Sequence, residues 1–260
     1  MKGQPRILLI DIETAPIIAH VWSLWKQDIA LNQIKSDWHL LSFAAKWLDE
    51  PASKIIYQDQ RNSTNIEDDT KLLKKVWELI DSADILLTHN GKKFDLKRLN
   101  SRFILHGFKP PSNVKHIDTY ELSKKHFDFT SNKLEYLTNK LCKKYKKQTH
   151  QKFPGFSLWR ECLAGNKSAW KEMETYNKYD ILSLEELYHK LAPWDSSINF
   201  NIYTDDNDIA CNCGSTEFQH RGFTYTKIAK YQRYQCKECG SWTRGRSNLF
   251  TTEKKESLRV

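Results

Sequence analysis

Residues 7–14 read Ile-Leu-Leu-Ile-Asp-Ile-Glu-Thr, and the fold follows from how this stretch is read. The aliphatic run Ile7–Ile12 predicts a buried strand. Asp11 and Glu13 stand two residues apart at its end, so both carboxylates leave the strand on one side. Thr14-Ala15-Pro16 then stops the strand and leaves the pair at its mouth. Two acids on one face repel unless a cation lies between them, which points to a metal ion. A motif as short as D-x-E also occurs at ordinary solvated strand ends, so the pair needs company elsewhere in the chain.

Working outward, a second apolar stretch covers Leu40–Leu48 and a short β-rich piece Lys54–Gln58. Asp68–Ala83 has helical spacing through Leu72, Leu73, Val76, Trp77 and Ile80. A strand at Ile85–Thr88 precedes a helix from about Lys93 to Leu105, and a strand around Val114–Ile117 precedes helices near Tyr120–Phe127 and Asn132–Cys142. Two more helices, Phe156–Leu163 and Ser168–Leu191, flank Gly165. Three strands followed by helix–strand–helix–strand predict an α/β domain, a mixed sheet covered by helices, over residues 1–192.

The 260 residues suit one large domain, or a medium one with a small companion. At 39% hydrophobic and 28% charged the composition is that of a globular chain. No run of eighteen apolar residues exists to span a membrane, and the first fourteen residues resemble neither a secretory signal nor a transit peptide. The net charge of +9 favours a polyanionic partner over a membrane surface. Six cysteines, four of them close together near the C-terminus, predict a reducing, cytoplasmic setting and a metal site rather than disulfides.

Two further motifs accompany the acids of the first strand. His89-Asn90-Gly91-Lys92-Lys93-Phe94-Asp95 joins a strand to a helix, with Asn90 expected as the N-cap. Asp95 then sits in the first turns of that helix, at the same sheet edge as Asp11 if the strands run parallel. Tyr176-Asn177-Lys178-Tyr179-Asp180 places Tyr176 and Asp180 one turn apart on a helix face. Alone, the first reads equally as helix-dipole complementation, and the second as a core tyrosine beside a surface acid.

In this order the motifs resemble the tyrosine branch of the DEDD 3′–5′ exonuclease superfamily, of ribonuclease H-like fold, over about residues 6–192. The histidine branch is excluded because residue 175 is Thr. The resemblance implies a mixed five-stranded sheet flanked by helices and two catalytic Mg²⁺ or Mn²⁺ ions. By the family pattern Asp11, Glu13 and Asp180 hold the ion that binds the attacking water. Asp11 bridges to a second ion, which Asp95 supports mainly through water, and Tyr176 orients the attacking water. Asp118, in an Asp-Thr pair of the kind seen at strand ends in this superfamily, is expected to be structural, as an N-cap for the next helix. His89 is read as a hydrogen-bonded turn residue, with substrate contact as the alternative.

Residues 92–160 carry seventeen Lys and Arg against five Asp and Glu. Lys143, Lys144, Lys146 and Lys147 cluster where the helical pattern fails. Together with Asn90 they are expected to contact substrate, with Tyr145, Phe153, Phe156 and Trp159 available for stacking or for the core.

Residues 193–208 lack a clear period and are expected to be a linker, and 209–246 form a cysteine-rich module followed by a polar, mobile tail at 247–260. Cys211-Asn212-Cys213-Gly214 and Cys236-Lys237-Glu238-Cys239-Gly240 are twenty-two residues apart, and the residues between them alternate as a hairpin does. The pairs resemble a zinc ribbon holding one structural Zn²⁺ through Cys211, Cys213, Cys236 and Cys239. The first pair is C-x-C where C-x-x-C is usual, so His220 stands as an alternative ligand. Lys, Arg and aromatic residues interleave in this module, which suits nucleic acid, with protein docking as the alternative. Cys142 and Cys162, in helical stretches, are expected in the core.

The expected function is a 3′–5′ exonuclease on single-stranded or frayed DNA. The alternatives are an endonuclease or RNA-directed nuclease on the same carboxylates, or a non-catalytic nucleic-acid adaptor. These 260 residues contain no polymerase domain, so a proofreading role would need a replication or repair protein in trans.

Overall fold

The structure is a computed structural model and describes residues 4–146, 152–205 and 208–259. Two compact units make up the chain, Arg6–Tyr188 and a second built from Met1–Pro5 and His189–Val260.

In the first unit a five-stranded sheet runs in the order β5 (Ile56–Asp59), β4 (Leu40–Trp47), β1 (Ile7–Thr14), β6 (Ile85–Thr88), β7 (Lys115–Asp118). β1 pairs antiparallel with β4, and β4 with β5, while β1–β6 and β6–β7 are parallel. The carboxyl ends of β1, β6 and β7 therefore share one edge, where ligands bind in open α/β sheets. A two-stranded ribbon, β2 (Ile18–Ala19) and β3 (Ile34–Ser36), is inserted between β1 and β4. It is too short to have left a periodic signal in the sequence.

The helices are α1 (Thr70–Asp81), α2 (Asp95–Leu105), α3 (Thr119–His126), α4 (Leu134–Leu141), α5 (Ser157–Leu163) and α6 (Lys167–Leu191). α1 buries Leu72, Leu73, Val76, Leu79 and Ile80 against Leu8, Ile10, Phe43 and Leu86 of the sheet. Trp77, expected in that stripe, packs at its margin, where its indole N–H bonds the carbonyl of Lys109 at 2.7 Å. A second core gathers Leu41, Leu158, Cys162, Trp170 and Met173, and Cys142 is buried as well. Fully buried Asp69 ties these parts together. It accepts from the Leu40 amide at 2.7 Å and from the Arg102 guanidinium at 2.6 and 2.8 Å, which fixes α2 to the start of β4.

Two local expectations are corrected. β1 continues through Thr14, with a register shift after Glu13. α2 begins at Asp95, and Asn90 does not cap it: the N-cap position is Phe94. Asn90 instead takes a left-handed turn conformation, φ +64°, its carbonyl accepting from the amides of Lys93 and Phe94.

In the second unit β8 (Phe218–Tyr225), β9 (Lys230–Cys236) and β10 (Trp242–Arg244) form an antiparallel sheet in the order β10-β9-β8. The stretch expected as a linker holds two 3₁₀ turns, Ala192–Trp194 and Phe200–Tyr203. Asn212 bonds both the amide of Phe200 and the carbonyl of Ile198, so this stretch packs on the cysteine module. Within the tail, α7 (Thr252–Glu256) is capped by the Thr251 hydroxyl.

Candidate active site

β1, α2 and α6 deliver the acids. Asp11 and Glu13 are half-buried at the carboxyl end of β1, and Asp180 is buried on α6. One carboxylate oxygen from each of these three lies within 4.8 Å of the other two. Asp11 and Asn177, Asp180's neighbour on α6, are 166 positions apart in the chain, yet the Asn177 side-chain amide donates to Asp11 Oδ2 at 2.5 Å and to the Asp11 carbonyl at 3.4 Å. Asn177 is itself fully buried and accepts from the Ser42 hydroxyl at 3.2 Å. Glu13 is held separately, by the Trp159 indole N–H at 3.1 Å. Trp159 meets Tyr176 edge to face, with 6.4 Å between ring centroids. Tyr176 thus belongs to the same cluster, one turn before Asp180.

Asp95 stands outside the close group of three. It is buried, and its carboxylate accepts from the Ile12 amide at 3.2 Å, between Asp11 and Glu13 in the chain. Burial pushes its carboxyl up to about 6, and the nearby charge of Asp118 adds to this. The amides of Ile12 and of Asp95 itself, and the Arg98 guanidinium, act in the opposite direction. An acid in this state is suited to accept a neighbouring positive charge.

The loop before α2 is built by Asp118. Its carboxylate accepts from the amides of Asn90 at 2.7 Å, Lys92 at 3.2 Å and Tyr120 at 3.0 Å, so it caps α3 as predicted and also anchors the His89–Asp95 turn. Gly91 is required because a Cβ there would run into the Thr88 side chain. His89 bonds the Thr119 hydroxyl at 2.9 Å and packs edge-on to Tyr120, which is the turn role expected of it.

Beside Glu13 lies a groove of about 530 Å³, walled by Pro16, Ile17, Trp38, Phe156 and Trp159. Arg98 lines it, its guanidinium 4.7 and 4.4 Å from the ring centroids of Trp38 and Phe94, and donates to the Thr14 hydroxyl at 2.7 Å. Of the aromatics expected to stack or pack, Phe153 and Trp159 pack on the second core, Tyr145 meets Tyr179, and Phe156 is exposed at the groove. The amides of Lys143 and Lys144 bond Glu186 on α6, leaving these lysines and Lys146 exposed. Lys147 lies outside the described residues.

Sequence reasoning missed Asn177, Ser42, Arg98 and the hydrogen bond from Trp159 to Glu13. Only Asn177 carried a signal, as the neighbour of Tyr176 in a motif already singled out.

In the second unit, all four expected cysteines converge with their sulfurs within 4.8 Å of one another. Cys211–Cys239 and Cys213–Cys236 are 3.5 and 3.7 Å apart. These separations are far beyond a disulfide bond of about 2.05 Å, and near the roughly 3.8 Å edge of a tetrahedron with 2.3 Å metal–sulfur bonds. Burial raises the Cys211 and Cys213 thiols. At Cys236 burial is outweighed by the amides of Cys239 and Glu238 and by neighbouring thiols, which bring it to about 7. The donor set fits a soft divalent metal, and His220 is engaged elsewhere, its ring 5.0 Å from that of Tyr234.

A protein-family model described as the RNase_H superfamily matches residues 39–192, more than half of the chain. The DNA polymerase III PolC-type of Ureaplasma parvum serovar 3 is 26% identical over 144 residues, 55% of this chain and 10% of that protein. The family B DNA polymerase of the archaeon Pyrobaculum calidifontis shares the fold, with a TM-score of 0.53 at 14% identity, over 73% of this chain and 25% of that one. The chain thus spans only a small part of the length of these relatives. The mixed five-stranded sheet with its flanking helices is ribonuclease H-like. The chain belongs to the RNase_H superfamily, and Asp11, Glu13 and Asp180 gather at the parallel edge of its sheet.

Proposed function

We propose that the protein is a metal-dependent 3′–5′ exonuclease acting on single-stranded or frayed DNA. The observation that carries this reading is the convergence of Asp11, Glu13 and Asp180 beside an open, aromatic-walled groove. Two Mg²⁺ or Mn²⁺ ions held by these acids, with Asp95 behind them, would neutralise the phosphate and make water nucleophilic at neutral pH. Asn177 and Trp159 orient the Asp11 and Glu13 carboxylates, so both are set before substrate arrives. Tyr176 orients the attacking water by hydrogen bond, since a phenol is a poor base at neutral pH. The groove receives the terminal nucleotide, with Arg98 supplying a positive charge near its phosphate. Exposed Lys143, Lys144 and Lys146, with Lys147 and Asn90, steer the strand towards the acids. Both relatives are DNA polymerases, which favours DNA as substrate and a replication or repair protein as the partner in trans. One structural Zn²⁺ would be held by Cys211, Cys213, Cys236 and Cys239 and would stabilise the small second unit.

The test is an incubation of 5′-labelled single-stranded DNA and RNA with Mg²⁺ or Mn²⁺, read as a ladder. Stepwise shortening of DNA supports the proposal, and D11A and D180A should abolish it while unfolding as cooperatively as the wild type. Internal fragments would make the protein an endonuclease, preferential RNA shortening an RNA-directed nuclease, and intact oligomer with a gel shift a binding protein.

A further inference from the structure

In the second unit the strand register sorts side chains onto two faces. Gln235 is opposite Trp242, Arg233 opposite Arg244, and Tyr231 opposite Thr224. Residues two apart share a face, so Tyr231, Arg233, Trp242 and Arg244 all project to one side. Arg221 joins them, because its guanidinium lies 6.0 Å from the Trp242 ring. Just after it, Gly222 at φ +72° takes up a bulge that turns Phe223 to the other face, against Lys230.

This face combines three cations with two aromatic rings. Arg233 lies 4.8 Å from the Trp242 ring and Arg244 3.9 Å from that of Tyr231. Arg221, Arg233, Arg244 and Trp242 are exposed. β8, β9 and β10 contain no Asp or Glu, and among the described residues none of the three guanidiniums has a carboxylate partner. Arg233 and Arg244 are directly cross-strand, an arrangement that is unfavourable in a sheet left to itself. A polyanion laid across the strands removes that penalty.

We infer that this face binds single-stranded nucleic acid, with the three arginines on phosphates and an unpaired base stacked on Trp242. The rings select a single strand, because every unpaired base offers a π-face whereas a duplex hides its own. An acidic protein surface would satisfy the guanidiniums but leave the exposed indole unused. The inference stands on the ribbon alone and is read by binding without hydrolysis, so it fails or survives separately from the nuclease proposal.

The experiment measures fluorescence anisotropy of labelled 20-mer oligonucleotides with the full chain, without Mg²⁺ or Mn²⁺, over a range of salt. R221Q/R233Q/R244Q should weaken binding at least about tenfold and flatten the log–log salt slope by about 2, at roughly 0.7 per phosphate contact. W242A should weaken binding about fivefold or more with the slope unchanged, and W242F should restore most of it. K254Q/K255Q/R259Q removes the same charge from the tail and should change affinity little. Zinc content and far-UV circular dichroism matching wild type establish that each variant is folded. Wild-type binding by both the arginine triple variant and W242A would overturn the inference. So would equal weakening by the tail variant, a preference for duplex, or equal competition from polyglutamate of the same charge.

Discussion

Replacing Asn177 with alanine tests whether the carboxylate of Asp11 is set by its neighbours or sets itself. The wild-type amide is fully buried, 2.5 Å from Asp11 Oδ2 and 3.2 Å from the Ser42 hydroxyl. A hydrogen bond to a charged group contributes about 1.5–3 kcal/mol and a neutral one about 1 kcal/mol, so the loss of both should cost roughly 2–4 kcal/mol of stability. The effect on activity has a different origin. Asp11 loses the donor that orients it, and removal of such a supporting contact typically weakens metal affinity or turnover about 10–100-fold. Urea unfolding reports the first effect. Hydrolysis rates titrated with Mg²⁺ report the second, as a rise in the half-saturating concentration that excess Mg²⁺ partly overcomes. N177D, which keeps the shape but replaces the donor with a second carboxylate oxygen, should be worse on both counts. An N177A protein with the wild-type urea midpoint and the wild-type Mg²⁺ requirement would show that Asn177 does not hold Asp11.

Two other consequences are open to measurement. Asp95 titrates near 6 in the folded chain, above the ordinary carboxylate value, so its ionisation opposes folding. Stability from this group is present below about pH 4 and is lost as pH rises through about 6; D95N should therefore gain up to about 3 kcal/mol at pH 7.5 without added Mg²⁺ or Mn²⁺, and nothing near pH 3.5. Denaturant unfolding at the two pH values decides it, and an unchanged D95N midpoint at pH 7.5 would contradict the burial argument. At the cysteine centre, metal analysis should find one zinc per chain, lost in C236S or on strong chelation, with the β8–β10 sheet losing its structure. A chain free of zinc, with β8–β10 intact and all four thiols reactive, would count against it.

The acids at the end of β1 were legible because five apolar residues in six force a strand whose last turnable positions are polar. The helices were legible from period alone, as with the buried stripe of α1. The turn at Asn90 was misread because its conformation depends on Asp118, twenty-eight residues away, accepting its amide. Ser42, Arg98 and the Trp159 bond to Glu13 were invisible for the same reason. Ser42 reaches Asn177 across 135 residues and Trp159 reaches Glu13 across 146, and neither separation leaves a local pattern. The arginine-rich face of the ribbon required the register, since a single bulge at Gly222 decides which aromatics share it.

From the amino-acid order alone came the kinds of chemistry: carboxylates at strand and helix ends, paired cysteines, an excess of positive charge. These are properties of side chains and of short-range periodicity, which a chain carries before it folds. Tertiary structure decided which acids meet, how each is held, and which face of the small sheet gathers its cations. Those outcomes depend on strand pairing and on packing between distant segments, where a one-residue change of register moves a side chain to the opposite face.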